Sequence, residues 1–317
     1  MPSNTVKFWS LLIFLIPSIL CALFISYYLL FDRTLRHALH NHVVIVLLLI
    51  GLFSEMTNYI WMLVYYQYAG IWQRSNIFCA IWGFNDWALY ITYTILLAWA
   101  TIERHILVFH DRWVSSRRRR LLFHYLPLVC LFLYCFVFYI VVYFVPPCAN
   151  TFSQTGYICI SPCIFNSYTF SMYELVAHQF LPFPIIVIFS IALLVRVVFQ
   201  KKRTHQPVQW RKYRKMTVQM LSISLLYVVL YFPFLVVSIC VLFNVSTDLL
   251  NEILPYTTFI TYFIFPLYPF VCALSLSDLR NKMYQILHLR RPPRQVGIET
   301  FTLRVRENNH TTTKTNY

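Results

Sequence analysis

Long apolar stretches alternate along the chain with short polar connections. Seven such stretches fall near residues 8–31, 43–66, 76–108, 121–145, 173–199, 216–243 and 254–275. Each is long enough for the ~20 residues that cross the hydrocarbon core of a bilayer as a helix. The helix is the form expected there, because inside lipid each backbone polar group needs a partner within its own segment. The pattern therefore predicts an all-α membrane protein, a seven-transmembrane helix bundle. The first stretch begins at Phe8 and Trp9. It is longer than the apolar core of a signal peptide and no small-residue cleavage pattern follows it, so it reads as a span.

Composition points the same way. Of 317 residues, 59% are hydrophobic, only 12% are charged and five are glycine. A water-soluble domain carries about 25% charged residues to cover its surface. Aromatic residues reach 19%, as expected where rings line helix interfaces and membrane borders.

The net charge of +15 changes the picture only through its placement. Segments 32–42, 111–120, 200–215 and 276–317 together hold 22 Lys and Arg, whereas the alternate connections hold only Lys7 and Arg74. Basic residues gathered in alternate short loops mark the cytoplasmic side of a membrane protein, not a globular face for nucleic acid. A multi-pass protein of the plasma membrane is expected, N-terminus outside and C-terminus in the cytoplasm. The chain reads as one domain, 1–289, followed by a disordered tail, 290–317.

Five of the nine cysteines, Cys21, Cys130, Cys135, Cys240 and Cys272, fall inside spans and are expected as small buried hydrophobes. Cys79, Cys148, Cys159 and Cys163 fall on the predicted outer side, where disulfides persist, and allow three pairings. Asn244-Val245-Ser246 is a glycosylation sequon in an outer loop. Asn309-His310-Thr311 matches the same pattern in the tail and is expected to be silent.

Span three is the most informative. Cys79 opens it and Glu103-Arg104-His105 closes it, a rise of ~37 Å as a helix. Asp86 and Arg104 lie five turns apart and so point the same way, with Tyr90, Tyr93, Leu97 and Ala100 along that stripe.

Seven spans, a cysteine opening the third and an acid-Arg-aromatic triplet closing it resemble the rhodopsin-like G protein-coupled receptors. Tyr231-Phe232-Pro233 stands where that family has Trp-x-Pro, which would make Pro233 a kink and Tyr231 the toggle residue. Pro269 falls at the proline of the family's Asn-Pro-x-x-Tyr, with Tyr268 and Cys272 replacing the Asn and the Tyr. Ser277–Leu289 is similar to its short amphipathic eighth helix: Leu279, Met283, Ile286 and Leu287 share one stripe. Gly51 replaces the span-two aspartate, leaving Glu55 one turn further out as the available acid. The foot of span six, Arg211 to Lys215, has no acid to clamp Arg104, so basal signalling restrained mainly by Glu103 is expected.

The resemblance implies an extracellular small-molecule or peptide ligand, a heterotrimeric G protein contacted through Glu103, Arg104 and His105, and Tyr231, Pro233 and Pro269 as conformational switch residues. Asp86 would take a ligand's ammonium, as in amine and some peptide receptors, with Tyr262 holding the acid; alternatively Asp86 only bonds Tyr262 or a neighbouring helix. Tyr90 and Tyr231 would line the same ligand site. Glu174 and His178, spaced i and i+4, either face that cavity or sit at the wet rim, and the rim is the expected place. Intramembrane acids are costly and usually functional.

The runs Arg117–Arg120 and Lys201–Arg203 are expected to touch anionic lipid. Thr311, Thr312, Thr313 and Thr315 are candidate phosphorylation sites for arrestin recruitment. No metal-ligand cluster and no nucleophile–base pair is visible, so neither catalysis, metal nor cofactor is expected. A transporter or channel using Asp86 and Glu55 is the competing class. The odd number of spans, the missing repeat and the scarcity of glycine speak against it. Span seven contains no lysine for a retinal Schiff base.

Overall fold

The structure, a computed structural model, describes residues 3–275 apart from 69–71, 110–112, 114–115, 154–156, 204–206, 244 and 246–247, with backbone only at 34, 40, 200–203, 207–216 and 251. The expected eighth helix Ser277–Leu289, the tail 290–317, the Asn244 sequon and the side chains of Arg211 to Lys215 lie outside the described residues.

Among the described residues seven helices are long and apolar enough to cross a membrane: α1 (Asn4–Phe31), α2 (Asn41–Gln67), α3 (Asn76–Phe109), α4 (Arg117–Phe144), α5 (Tyr168–Phe199), α6 (Pro207–Leu242, apolar from Thr217) and α7 (Asp248–Ser275). Their order follows the apolar runs, but α1, α4, α5, α6 and α7 begin four to nine residues earlier, where the helix continues beyond the apolar stretch. Ser3 caps α1, its hydroxyl accepting from the Val6 N–H at 3.3 Å.

Helix α3 runs through the middle, packed against α2, α4, α5 and α6, while α7 closes the ring onto α1, α2 and α6. Asp86, Tyr93, Leu97, Ala100 and Arg104 are all buried on it. Outward faces are apolar; Phe132, Leu133, Phe136 and Val137 of α4 are exposed, as lipid-facing positions are. The span cysteines depart from expectation accordingly: Cys135 and Cys272 are buried, Cys21 and Cys240 half-buried, and Cys130 exposed on the outward side of α4.

Three helices contain a π turn, Glu55–Tyr59 in α2, Leu121–Tyr125 in α4 and Leu175–Phe180 in α5. An i→i+5 turn shifts the phase of the residues around it, and such turns concentrate at functional sites. Here they carry buried Glu55, Asn58, Tyr59, His124, His178 and Gln179.

One end of the bundle is closed by a two-stranded hairpin, β1 (Thr151–Phe152) antiparallel to β2 (Ile160–Ser161). Of the three pairings open from sequence, the structure has Cys79–Cys159 and Cys148–Cys163. The first ties the hairpin to the start of α3. One turn along, Gly83 lets the hairpin settle, since a Cβ there would meet Ile160 Cγ2 and Tyr143 Cε1 at 2.6 Å.

Candidate functional site

Beneath the hairpin lies a cavity of about 440 Å³, walled by α2, α3, α5, α6 and α7 and by Tyr157 and Ile158 of the hairpin. Asp86 is 7% exposed on its wall. Its Oδ1 accepts from Asn58 Nδ2 at 2.7 Å, and the Tyr262 hydroxyl lies 3.0 and 3.1 Å from its two oxygens. Asn58 is itself oriented by Trp82, whose indole N–H donates to Asn58 Oδ1 at 2.7 Å.

Tyr262 owes its position to prolines in α7. Pro266 has no N–H to offer the Tyr262 carbonyl four residues back. The Tyr59 hydroxyl donates to that carbonyl instead, at 2.6 Å. The Tyr262 hydroxyl also meets that of Tyr157, so the hairpin, α7 and Asp86 form one hydrogen-bonded chain.

Arg74 anchors Tyr157 from the opposite side: its Nη1 donates to the Tyr157 carbonyl at 2.7 Å, and its guanidinium lies 5.2–5.8 Å from the rings of Tyr65, Trp72 and Trp82. Burial lowers the Arg74 pKa from its ordinary value. Burial, and next the negative charge of Asp86, raise that of Tyr157 well above the usual phenol value.

Glu174 is not at the rim. It is 3% exposed and lines the same cavity. Its Oε1 accepts from Trp87 Nε1 at 3.0 Å and the Tyr139 hydroxyl at 2.9 Å, and its Oε2 accepts from Gln179 Nε2 at 2.7 Å. His178 is buried too, but its ring meets the Tyr134 hydroxyl at 2.8 Å and the Tyr139 hydroxyl at 3.4 Å on α4, outside the cavity lining. The π turn explains both corrections. Glu174 pairs with Gln179 at i+5, and the i+4 residue rotates onto the neighbouring helix.

At the far end of α3, Arg104 is 3% exposed and Glu103 4%. Glu103 meets His124 Nδ1 of α4, and His124 Nε2 lies 2.9 Å from His42 Nδ1 of α2. His42 Nε2 lies 2.8 Å from the Arg36 carbonyl and so carries a proton. With a neutral His42, Nδ1 accepts and His124 donates from Nε2. His105 turns instead towards α5, its ring edge-on to Phe189 at 5.8 Å.

The model of the 7 transmembrane receptor (rhodopsin family) matches residues 22–272. The chain belongs to the rhodopsin family of seven-transmembrane receptors. It is therefore a G protein-coupled signalling receptor and not an enzyme, and receptors of this family bind extracellular ligands and G proteins. The fold is similar to that of squid rhodopsin, with a TM-score of 0.68 and 15% identity over 91% of this chain and 87% of that one. No curated protein matches by sequence.

Several positions set this rhodopsin-family receptor apart. Tyr231 is fully buried and stacks on Tyr227 at 5.0 Å. It lies just below the cavity lining, its ring 5.8 Å from Tyr90 and its hydroxyl donating to Gln179 Oε1 at 3.3 Å. Pro233 and Pro269 stand inside α6 and α7, each removing a backbone donor. The Tyr268 hydroxyl donates to the Val44 carbonyl at 3.3 Å, and Cys272 is buried beneath it. At Gly51 the Phe265 ring lies 3.4 Å from the place of a Cβ. Glu55 is fully buried and accepts from the Ser18 hydroxyl at 2.7 Å.

Sequence reasoning missed Asn58, Tyr59, Trp82, Tyr157, Gln179, His42 and His124. A polar side chain within an apolar span was the available signal for Asn58, Gln179 and His124. Tyr157 had none.

Proposed function

We propose that this receptor takes a cation-bearing ligand, an amine or a short basic peptide, into the cavity beside Asp86 and signals through Arg104 to a heterotrimeric G protein. The observation that carries this reading is Asp86 itself. It is a buried carboxylate on a cavity wall whose hydrogen-bond partners, Asn58 and Tyr262, are neutral. An uncompensated charge is costly in a low-dielectric site, and a ligand ammonium supplies the missing partner.

The hairpin end faces outside the cell, which suits its two disulfides and leaves 22 Lys and Arg on cytoplasmic connections. Asn244 then lies outside and the tail inside, where Arg117–Arg120 touches anionic lipid and the threonines of the tail serve arrestin. Ligand binding shifts the population between two packings of α3, α6 and α7. Tyr90 passes the shift to Tyr231, Pro233 lets α6 bend and Pro269 lets α7 bend, and the far end opens around Glu103, Arg104 and His105.

A screen of amines and short basic peptides in cells with a G-protein readout tests this. Responses that vanish in Arg104→Ala and weaken in Asp86→Asn agree with it. A ligand current that needs no G protein would sink it.

A further inference from the structure

The cavity holds a second buried acid that the counter-ion role of Asp86 leaves unexplained. Glu174 stands on α5, on a different wall, and like Asp86 it is bonded only to neutral donors: Trp87, Tyr139 and Gln179. Among the described residues neither carboxylate has a cationic partner, whereas Glu103 at the other end of α3 pairs with His124. Two carboxyl groups therefore face one low-dielectric space, and a ligand with one cationic group pairs with only one of them.

Aromatic rings line the same cavity. Trp87 and Tyr90 of α3 form one side and Tyr262 and Phe265 of α7 another. Their faces favour cations or an apolar linker and offer little to an anion. Full compensation needs a ligand with two cationic groups joined by an apolar spacer.

We propose that the cavity recognises a dication, with one ammonium or guanidinium on Asp86 and the second on Glu174. This rests on the reading that the Asp86 cavity is the ligand site, and it names the ligand class. Each cationic group donates hydrogen bonds to a carboxylate already held by neutral donors, so the acids need no rearrangement before binding. Glu174 then sets specificity: a monoamine satisfies Asp86 alone.

The test uses the full-length receptor in lipid nanodiscs and a graded series of α,ω-diaminoalkanes, with n-alkylamines of matched length, read by thermal stabilisation. One length of diamine should act at concentrations about 30-fold or more below its matched alkylamine, the scale for losing one partner of a desolvated charge pair. Glu174→Gln should reduce the diamine to the level of the alkylamine. Tyr139→Phe removes a neutral donor but keeps the carboxylate, so it should preserve the preference; a merely structural Glu174 would make the two variants behave alike. Equal potency of the matched compounds, or a preference that survives Glu174→Gln, overturns the dication proposal. Alkylamine stabilisation lost in Asp86→Asn would still uphold the ligand site. Silence across both series counts against both.

Discussion

Glu103 on α3 is held by His124 on α4, and His124 is in turn held by His42 on α2. The acid next to Arg104 is therefore tied sideways to a neighbouring helix. If Glu103 restrains Arg104, His124 competes for that restraint, and the two side chains act in opposite directions.

Glu103→Gln should raise basal G-protein nucleotide exchange, and His124→Phe should lower it. Each change should be worth about 0.5–2 kcal/mol of coupling, roughly two- to thirtyfold. The double variant should resemble Glu103→Gln, because His124 acts through Glu103. Basal rates in membranes at matched receptor density check this. Changes of the same sign in both single variants would rule out the competition.

Asn58 and Tyr262 both hold Asp86, but Asn58 also satisfies Trp82. Tyr262→Phe removes one hydrogen bond to a carboxylate, worth about 1.5–3 kcal/mol. Asn58→Leu removes that of Asn58 and strands the Trp82 N–H as well, so it should lower the thermal unfolding temperature further. Unfolding of the purified receptor with a thiol-reactive dye ranks the two; the reverse order would contradict the network.

The two disulfides should separate in their effect on binding. Cys159 lies two residues from Tyr157, and its bond to Cys79 fixes the hairpin on α3. Cys148–Cys163 closes a local loop of sequence separation 15. Cys159→Ser should reduce ligand affinity well beyond Cys148→Ser, measured by saturation binding on cells with equal surface expression. Equal losses would detach Tyr157 from the ligand site.

Gly83→Ala should act like loosening the same hairpin from below. The added Cβ meets Ile160 and Tyr143 at 2.6 Å, and overpacking of this kind costs about 1–3 kcal/mol. A lower unfolding temperature together with weaker binding is expected. An unchanged binding curve would mean that β2 yields without moving Tyr157.

Much of this receptor could be read before its fold was known, because lipid imposes simple rules. Seven apolar runs gave seven helices, and the helical period placed Asp86 and Arg104 on one buried stripe. The spacing of Tyr262 from Pro269 brought its hydroxyl to Asp86 through the resemblance. Failures gathered where the α-helical period does not hold: Glu174 and His178 straddle a π turn, so i and i+4 part company. They also gathered where polar partners come from distant helices. Nothing local to His42 announces His124, and Tyr157 reaches the cavity only through a disulfide, Arg74 and the room left at Gly83.

The central claim is that Asp86 meets the ligand's cation. It is tested most directly by the affinity of an activating amine or basic peptide for the purified receptor and for Asp86→Asn, under conditions where both remain folded. The account predicts a loss of about 30-fold or more, from the cost of removing one partner of a buried charge pair. Equal affinity for the two proteins would contradict it.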